Sequence, residues 1–443
     1  SDDAVYTFNL INKTSSLNSI GWHGTVKKVD DTTFTLIFDQ VATMTARAIL
    51  TGVPLVPKHV FEKMDDVTTD VNKNPVTSGP FTLDEKDFTS QNYVFRANPN
   101  YHEKGQPYID GVRYTSYAGG TATQDAIIAG EIDWASNVFQ DPEKQLKNAP
   151  VDYLTMPSSA QVLVTCSNAE LGCTGPQTDV AVRKAIYYGM DRAQLNKLAF
   201  YGIFYDSSSS LTPTPENEEY LSPDVPESTV PEEANVEKAK QLLEDAGYTM
   251  GSDGIYQKDG VRLSFEVPAI SGWTESINGV DVAGQQLKKV GIEMKVKQVS
   301  ANEMTELYSK GDFQIITENM WYSGSEPYDF YNTFYASDQT AKVGEKGVNG
   351  WARYSNKTVD DALDVINSTT DTNVKKEQYA IIQQQVYDDM PYIPMMRTAT
   401  MVETSKEYTG WVTKDNVYAA PASWNTWDTG IILRQIKPVT DNK

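Results

Sequence analysis

The stretch GVDVAGQQLKKVGIEMKVKQVS, residues 279–300, changes its hydrophobic period halfway along and decides the fold class. In GVDVAGQQLKKVG (279–291) the apolar residues recur at helical spacing. In IEMKVKQVS (292–300) apolar and polar residues alternate, which is the pattern of a half-buried strand. A helix that runs into a strand in this way is typical of an α/β domain.

Several other segments on both sides of this stretch have helical periodicity. The clearest, VAVRKAIYYGMDRAQLNKLAFYG at 180–202, is predicted as one helix because apolar residues recur every three or four positions: Val182, Ala185, Ile186, Met190 and Leu195. ANVEKAKQLLEDAGY at 234–248 is predicted to begin at the N-cap residue Asn235 and to stop at Gly247. The same pattern predicts further helices within 123–135, 358–368 and 373–390, and PYIPMM at 391–396 reads as a buried strand.

The first hundred residues read as mostly β. TTFTLIF at 32–38 alternates in the manner of a strand, and strand-like stretches follow at 75–83 and 93–114. By contrast, the segment 206–233 is rich in Ser, Thr, Pro and acidic residues. We therefore expect 206–233 to be a surface excursion or a flap rather than a packed element.

The bulk composition limits the classes of function. A chain of 443 residues exceeds the size at which single cores stop growing, so two or more lobes are expected. A net charge of −22 repels phosphate backbones and anionic lipids, which makes nucleic acid an improbable partner. The two cysteines, Cys166 and Cys173, lie in the turn-like run TCSNAELGCTG and are predicted to form a disulfide, although two unpaired thiols remain open. A disulfide would indicate an extracytoplasmic compartment.

No recognisable catalytic or cofactor motif occurs in the sequence. The three histidines, His23, His59 and His102, form no HExxH pair and lie at no ligand spacing from a cysteine, so no metal and no cofactor are expected. The GxSxG, GxxxxGK[ST] and GxGxxG motifs are missing as well. A pair of carboxylates arranged for glycoside hydrolysis stays open, because the distance between them is set by the fold.

Aromatic residues are the most suggestive candidates for ligand binding. They cluster in ENMWYSGSEPYDFYNTFYA (318–336) and GWARY (350–354), where rings stand among Gly, Ser, Asn and Glu in turn-like sequence. Such loops can line a cleft, although the rings could equally fill an interface between helix and sheet. The candidate ligand contacts are Asn319, Trp321, Tyr322, Glu326, Tyr328, Asp329, Trp351, Tyr354, Trp22 and His23.

Several segments in the same order resemble the large solute-binding proteins of peptide-type ABC importers. This family includes receptors for oligopeptides, dipeptides, nickel and cello-oligosaccharides, and the resemblance covers nearly the whole chain. It rests on VPKHVFEKM (56–64), NPVTSGPFTL (74–83), RANPNYHEKGQPYIDGVRY (96–114), AIIAGEID (126–133), DVAVRKAIYYGMDRAQLNKLAFYG (179–202), AKQLLEDAGY (239–248) and DDMPYIPMM (388–396).

The resemblance implies an α/β fold of the type II periplasmic-binding-protein kind. Two lobes close on a ligand, and an additional β-rich domain sits on the first lobe. Residues 1–60 would be the remainder of the β-rich domain, 61–165 plus 408–443 the first lobe, and 166–407 the second lobe. The opening SDDAVYTFNLINK resembles a segment that normally follows many tens of residues. We therefore expect the chain to lack the family's N-terminal segment.

The resemblance also implies a non-enzymatic, extracytoplasmic receptor that delivers its ligand to a membrane permease, with lipid anchoring of the full-length protein left open. It is expected to be a monomer. Peptide receptors of the family hold the ligand's amino group with an aspartate three residues after the tryptophan that matches Trp321, but Gly324 stands there. This departure favours a neutral oligosaccharide, with an oligopeptide as the alternative, and Glu326 or Asp329 could replace the aspartate. A surface adhesin without a transported ligand is a third class.

Overall fold

The computed structural model describes residues 1–18, 22–322, 326–425 and 428–439. By its internal contacts the chain divides into unit 1, which comprises 1–58 and 158–398, and unit 2, which comprises 59–157 and 399–443. The helices are α1 (Asp2–Lys13), α2 (Thr43–Gly52), α3 (Lys58–Phe61), α4 (Gly120–Ala129), α5 (Pro142–Gln145), α6 (Val180–Gly189), α7 (Arg192–Ala199), α8 (Val236–Asp245), α9 (Thr274–Val290), α10 (Ala301–Lys310), α11 (Tyr328–Tyr335), α12 (Lys357–Ser368), α13 (Thr372–Asp389) and α14 (Thr429–Gln435).

The strands form several small sheets, and two strands, β7 and β14, pass from one unit into the other. The strands are β1 (Gly24–Lys28), β2 (Phe34–Phe38), β3 (Phe81–Phe88), β4 (Asn92–Ala97), β5 (Gly111–Thr115), β6 (Trp134–Ala135), β7 (Val151–Thr165), β8 (Thr249–Met250), β9 (Tyr256–Lys258), β10 (Val261–Arg262), β11 (Ser264–Ile270), β12 (Glu293–Val299), β13 (Ile315–Met320), β14 (Tyr392–Ser405), β15 (Tyr408–Thr409) and β16 (Lys437–Pro438). The three-domain division implied by the resemblance stays a prediction.

The central sheet of unit 1 carries a large buried apolar cluster on one face. Strand β13 runs antiparallel to β7, with Met320 opposite Ala160, and β11 runs parallel to β12. On one face of β13 and β7, Ile316, Met320 and Val162 belong to a buried cluster that also takes in side chains of α10, α11, α12 and α13. We call this the main apolar face. Its burial is the dominant favourable term for unit 1.

The helix predicted over 180–202 is two helices, α6 and α7. Met190 is extended between them, and the carboxylate of Asp191 accepts a hydrogen bond from the backbone N–H of Gln194, which starts α7 anew. The single-helix prediction was wrong because an N-cap interrupts a continuous apolar stripe. For α8 the predicted N-cap is confirmed, since the Asn235 side chain accepts from the N–H of Lys238.

The prediction of a surface flap over 206–233 was wrong for its first part. Residues 207–212 are buried. Most of their hydroxyl groups find partners inside: Thr212 Oγ1 lies 2.9 Å from Tyr331 Oη and 3.0 Å from Ser210 Oγ, whereas the Ser209 hydroxyl has no partner among the described residues. Short polar side chains can be buried at little cost when each hydroxyl is hydrogen-bonded.

Residues 1–58 and unit 2 have cores of their own. In 1–58, the β1–β2 hairpin packs with α1 around Trp22. In unit 2, the antiparallel sheet β3–β4–β5 lies beside a cluster that contains Ile432 and Leu433 of α14. Helix α4 ends at Gly130, whose φ of 75° suits glycine. None of the helices in the described part of the chain has the length and apolar character that crossing a bilayer requires.

Candidate functional site

The candidate site lies in unit 1, where strand β13 of the central sheet ends. We call this end of the sheet, marked by Met320 of β13 and Ala160 of β7, the carboxyl edge. Met320, the last residue of β13, stands opposite Ala160 of β7. On the other side of β7, the Arg397 Nε of β14 donates to the Ser158 carbonyl at 3.1 Å. The end of β13 therefore lies on one side of residues 158–160 of β7, and Arg397 of β14 lies on the other side. Ligands of α/β proteins commonly bind beyond the carboxyl ends of strands.

Trp321 is the first residue beyond β13 and leaves an aromatic ring open at this edge. Its side chain is 42% exposed. The ring packs edge-to-face on Phe334, with centroids 4.8 Å apart, and on Trp351, with centroids 5.6 Å apart. Because both supporting rings are buried, the Trp321 ring is held in place while one side stays accessible. A ring presented in this way can stack on a sugar ring or an apolar side chain.

Tyr322, the next residue, lies beneath a buried arginine. The Arg397 guanidinium is 5.1 Å from the centre of the Tyr322 ring. Both terminal nitrogens of Arg397 donate to the carboxylate of Glu216, and Nη2 is 3.0 Å from Oε1. Burial raises the pKa of Tyr322 far above its ordinary value, although Arg397 lowers it, so the phenol stays neutral. The pair Arg397 and Glu216 is not anticipated by the sequence analysis.

Glu326, a predicted ligand contact, already has partners in the protein. Its carboxylate accepts from Lys375 Nζ, at 3.0 Å to each oxygen, and from the Tyr379 hydroxyl at 3.3 Å. Lys375 is buried. A carboxylate engaged in this manner is not a free partner for the amino group of a ligand. Gly324, where the sequence lacks the expected aspartate, lies outside the described residues.

Asp329 and Tyr328 belong to the start of α11 rather than to an open loop. Burial raises the pKa of Asp329 to about 6, while Arg47 lowers it and Glu326 raises it. Tyr328 is buried in the main apolar face, and burial raises its pKa to about 12. These two side chains fill the interior beside α11, whereas Trp321 points to the open edge.

Trp351 and Tyr354 are also buried, which agrees with the alternative that these rings pack in an interface between helix and sheet. Trp351 supports Trp321 and Tyr308, whose ring centroid is 4.7 Å away. Its indole nitrogen is buried without a hydrogen-bond partner in the described part of the chain. The Tyr354 hydroxyl donates to Asp389 at 2.6 Å. Both residues hold other groups in position and neither offers an open ring.

Trp22 and His23 lie elsewhere in unit 1. Trp22 is fully buried and packs edge-to-face on Phe8 and Phe38, at centroid distances of 5.3 and 5.1 Å. The structure therefore makes Trp22 a core residue of 1–58, because its whole surface is used in packing. His23 is exposed on the segment that leads into β1. Neither residue is brought to the carboxyl edge by any contact in the structure.

Asn319 and its neighbour Glu318 lie on β13, just inside the carboxyl edge. The Asn319 side-chain oxygen is buried without a partner among the described residues. Glu318 is buried, and burial raises its pKa to about 7, although a hydrogen bond from the Asn319 N–H lowers it. The sequence analysis did not single out Glu318. The signal was an acidic residue inside the apolar strand IITENM, at a position that faces the core.

Cys166 and Cys173 form a disulfide, with 5.4 Å between their Cα atoms. Both sulfurs belong to buried residues. The bond closes the loop that follows β7, at the end of the strand away from the carboxyl edge. Within the described ranges, His, Cys, Asp and Glu side chains form no group of three or more that could hold a metal ion.

The model for the middle region of the bacterial extracellular solute-binding proteins, family 5, matches residues 1–342. The oligopeptide-binding protein AppA of Bacillus subtilis is 28% identical over 355 residues, which cover 77% of this chain and 61% of that protein. The nickel-binding periplasmic protein of Escherichia coli is 23% identical, with 83% of this chain and 66% of that protein covered. The chain spans about three fifths of the length of the first of these relatives.

Solved structures show the same fold over nearly the whole chain. A periplasmic oligopeptide-binding protein of an oligopeptide ABC transporter from Thermotoga maritima matches with a TM-score of 0.86 at 21% identity, covering 99% of this chain and 84% of that chain. Its mannohexaose-bound structure also matches with a TM-score of 0.86, at 22% identity. AppA of Bacillus subtilis in complex with a nonapeptide gives 0.82 at 23% identity. These likenesses show the α/β fold of such binding proteins.

Proposed function

The chain belongs to family 5 of the bacterial extracellular solute-binding proteins, and on this premise we propose that it is the extracytoplasmic receptor of an ABC importer. Members of this family are transport receptors and not enzymes. In this role the protein captures an oligomeric nutrient outside the cytoplasm and hands it to a membrane permease, acting as a monomer. The proposal fits the negative net charge, which disfavours nucleic acid and anionic membranes as partners.

The open ring of Trp321 is the observation that carries the proposal. It stands at the carboxyl edge, is supported by two buried aromatic rings and keeps a large exposed fraction. Single exposed apolar side chains are common on protein surfaces, so exposure alone does not distinguish this ring; its position just beyond the end of β13 and its support by two buried rings do. A role in ligand binding accounts for this exposed ring, whereas core packing does not.

We propose a neutral oligosaccharide as the ligand. The described acidic side chains nearest to Trp321 along the chain are unsuited to an ammonium group: Glu326 is held by Lys375, and burial holds the pKa of Glu318 near 7. A buried ammonium without a paired carboxylate is costly. Aromatic platforms with neutral hydrogen-bonding groups suit sugars instead. The mannohexaose-bound relative of the same fold is compatible with this choice.

An oligopeptide is the alternative ligand. It is favoured by relatives such as the oligopeptide-binding protein AppA, whose solved structure holds a nonapeptide. The exposed Trp321 ring could cover an apolar side chain of a peptide as well as a sugar. In that case the amino group of the peptide needs a carboxylate that the paired Glu326 does not supply.

Isothermal titration calorimetry against two panels of solutes tests the proposal. One panel contains cello-, xylo- and manno-oligosaccharides and the other contains di- to pentapeptides. We expect binding in the first panel, and we expect Trp321→Ala to weaken it roughly ten- to thirtyfold. Phe88→Ala is the matched control, because Phe88 is an exposed ring on β3 of unit 2.

The outcomes separate the classes of function. Binding confined to the peptide panel would replace the sugar by a peptide within the same receptor role. An adhesin without a transported ligand predicts no binding in either panel, and that result would overturn the receptor proposal. Release of cleaved products from either panel would instead favour a hydrolase.

A further inference from the structure

Glu318 is a buried carboxyl group without a cationic partner among the described residues. Only 7% of its surface is exposed. Its hydrogen bond in the structure comes from the backbone N–H of Asn319, at 3.1 Å from Oε1. Across the described ranges, no lysine, arginine or histidine lies within ion-pair distance of this carboxylate. The partly buried Glu326, by contrast, does have a cationic partner, Lys375.

The strand geometry places Glu318 on the same face of the sheet as the open ring of Trp321. Side chains alternate along β13, so Ile316, Glu318 and Met320 point to the main apolar face. Trp321 packs on Phe334 and Trp351, which belong to that same face. Glu318 is three residues before Trp321 and two before the end of the strand. The carboxyl group and the open ring therefore lie on one side of the sheet, next to the carboxyl edge.

An apolar residue would be the ordinary occupant of such a position. Val162, which stands opposite Glu318 on β7, is a fully buried member of the apolar cluster. An unpaired carboxylate in this environment is strongly disfavoured, and the group avoids the penalty by keeping its proton. A neutral carboxylic acid can both donate and accept a hydrogen bond. Those are the abilities that recognition of a hydroxyl group requires.

We propose that Glu318, in its protonated form, hydrogen-bonds a neutral hydroxyl oxygen of the ligand and so determines the specificity of the site for uncharged solutes. This inference rests on the proposed receptor function and deepens it. The Trp321 ring covers the apolar surface of the ligand, while Glu318 satisfies one of its polar groups. A ligand with a cationic group at this point would instead ionise Glu318.

Asp329, at the start of α11, is a second carboxyl group beside the main apolar face whose pKa is raised by burial towards neutrality. The titratable or charged side chains on elements that pack with β13 or lie in the same sheet are Asp152 and Tyr153 on β7, Glu266 on β11, Glu275, Asp281, Lys288 and Lys289 on α9, Glu303, Glu306, Tyr308 and Lys310 on α10, Tyr328, Asp329, Tyr331 and Tyr335 on α11, and Tyr392, Arg397 and Glu403 on β14. Burial keeps the pKa of Tyr331, Tyr335 and Tyr392 above the ordinary value, so these phenols stay neutral up to pH 9. Glu266 is exposed. Burial raises the pKa of Glu275 as well, so its variant is a needed comparison.

Counting the protons exchanged on binding tests the proposal. Calorimetry of a bound oligosaccharide from the panel, in buffers of different ionisation enthalpy at pH 7.5, gives the number of protons taken up or released. We expect net uptake of a fraction of one proton, because a ligand that favours the neutral acid raises its pKa. We also expect the affinity to fall about tenfold between pH 6 and pH 9, which corresponds to a shift of one pKa unit.

Two variants assign the effect to Glu318. Glu318→Gln keeps a donor and an acceptor, so it should retain the pH 6 affinity within about threefold and lose the proton uptake. Glu318→Leu removes both and should weaken binding tenfold or more. Glu275→Gln, Asp329→Asn, and Glu403→Gln as a buried carboxyl of unit 2, should keep the wild-type proton uptake.

Each contrary result has a definite meaning. Release of protons on binding would show that Glu318 meets a cation and would overturn the inference. Unchanged affinity and unchanged proton uptake in both Glu318 variants would overturn it while the receptor function stands. If only peptides bind, the number of protons exchanged on binding of the peptide tests the inference in the same way. If no solute binds, the proposed function fails first and the inference falls with it.

Discussion

The ammonium group of Lys375 lies 3.0 Å from each carboxylate oxygen of Glu326. The pair joins α13 to Glu326, which lies two positions before the first residue of α11, and Lys375 is buried there. Two charges in such a place stabilise the fold only while both are present, because either one alone is left unpaired. The relationship explains why Glu326 is a structural residue rather than a substitute for the aspartate that the sequence lacks at position 324.

Replacing one partner of this ion pair should destabilise unit 1. We expect Lys375→Met to lower the free energy of unfolding by about 3 kcal/mol, since the partly buried carboxylate of Glu326 would lose its cation. Urea denaturation followed by tryptophan fluorescence measures the change. The control is Lys357→Met, which breaks the exposed pair with Asp361 and should cost less than about 0.5 kcal/mol. Equal losses in the two variants would contradict this explanation.

The elements with strong periodicity were predictable, whereas their interruptions were not. Residues 279–300 do form the end of α9 followed by β12. The break between α6 and α7 was missed, although the run Asp191 to Gln194 carries a helix-start signal in the middle of an apolar stripe. The N-cap at Asp191 starts a new helix, and the prediction relied too much on the continuous apolar periodicity.

The candidate site was predictable only in part, because burial depends on contacts between distant segments. Trp321 is open at the carboxyl edge, but Trp351 and Trp22, which look alike in sequence, are buried. Their neighbours decide this: Trp351 is covered by Tyr308 and Phe334, and Trp22 by Phe8 and Phe38. The Ser- and Thr-rich residues 207–212 were misjudged for the same reason, since Tyr331 supplies their hydrogen bonds.

Gly311 should be intolerant of a side chain because a buried arginine lies against it. Gly311 follows α10 with a φ of +70°, and a Cβ there would stand 2.5 Å from Arg353 Nε. Arg353 cannot yield easily, since its Nη2 donates to the Ser309 carbonyl at 2.7 Å. We expect Gly311→Ala to lower the free energy of unfolding by more than 2 kcal/mol, of which about 1 kcal/mol is the positive φ.

The matched control for this prediction is Gly260→Ala. Gly260 has a similar φ of +78°, but nothing lies within 4 Å of a Cβ built there. We therefore expect about 1 kcal/mol from the backbone alone. Chemical denaturation of both variants measures the difference, and a loss in Gly311→Ala no larger than in Gly260→Ala would show that Arg353 moves aside.

The disulfide should act as a structural crosslink. Replacing Cys166 and Cys173 together by Ala should lower the free energy of unfolding by about 2 to 3 kcal/mol, the entropy of closing a short loop in the unfolded chain. Because both residues are buried, dithiothreitol should leave the bond intact in the folded protein and reduce it in urea. Thiol counting with and without urea measures this. Rapid reduction without denaturant would argue against a structural role.

Glu403 should make the stability of unit 2 depend on pH. Its Oε2 accepts from the Asn137 N–H at 3.1 Å, its Oε1 is buried without a partner in the described part of the chain, and burial raises its pKa to about 8. Since the folded state binds this proton more tightly than the unfolded state, stability is highest near pH 4.5 and falls as the pH rises towards 8. We expect Glu403→Gln to match the wild type near pH 5 and to exceed it by at least about 1 kcal/mol at pH 8.5. Thermal unfolding between pH 5 and pH 8.5 measures the two profiles, and parallel profiles would show that Glu403 keeps an ordinary pKa.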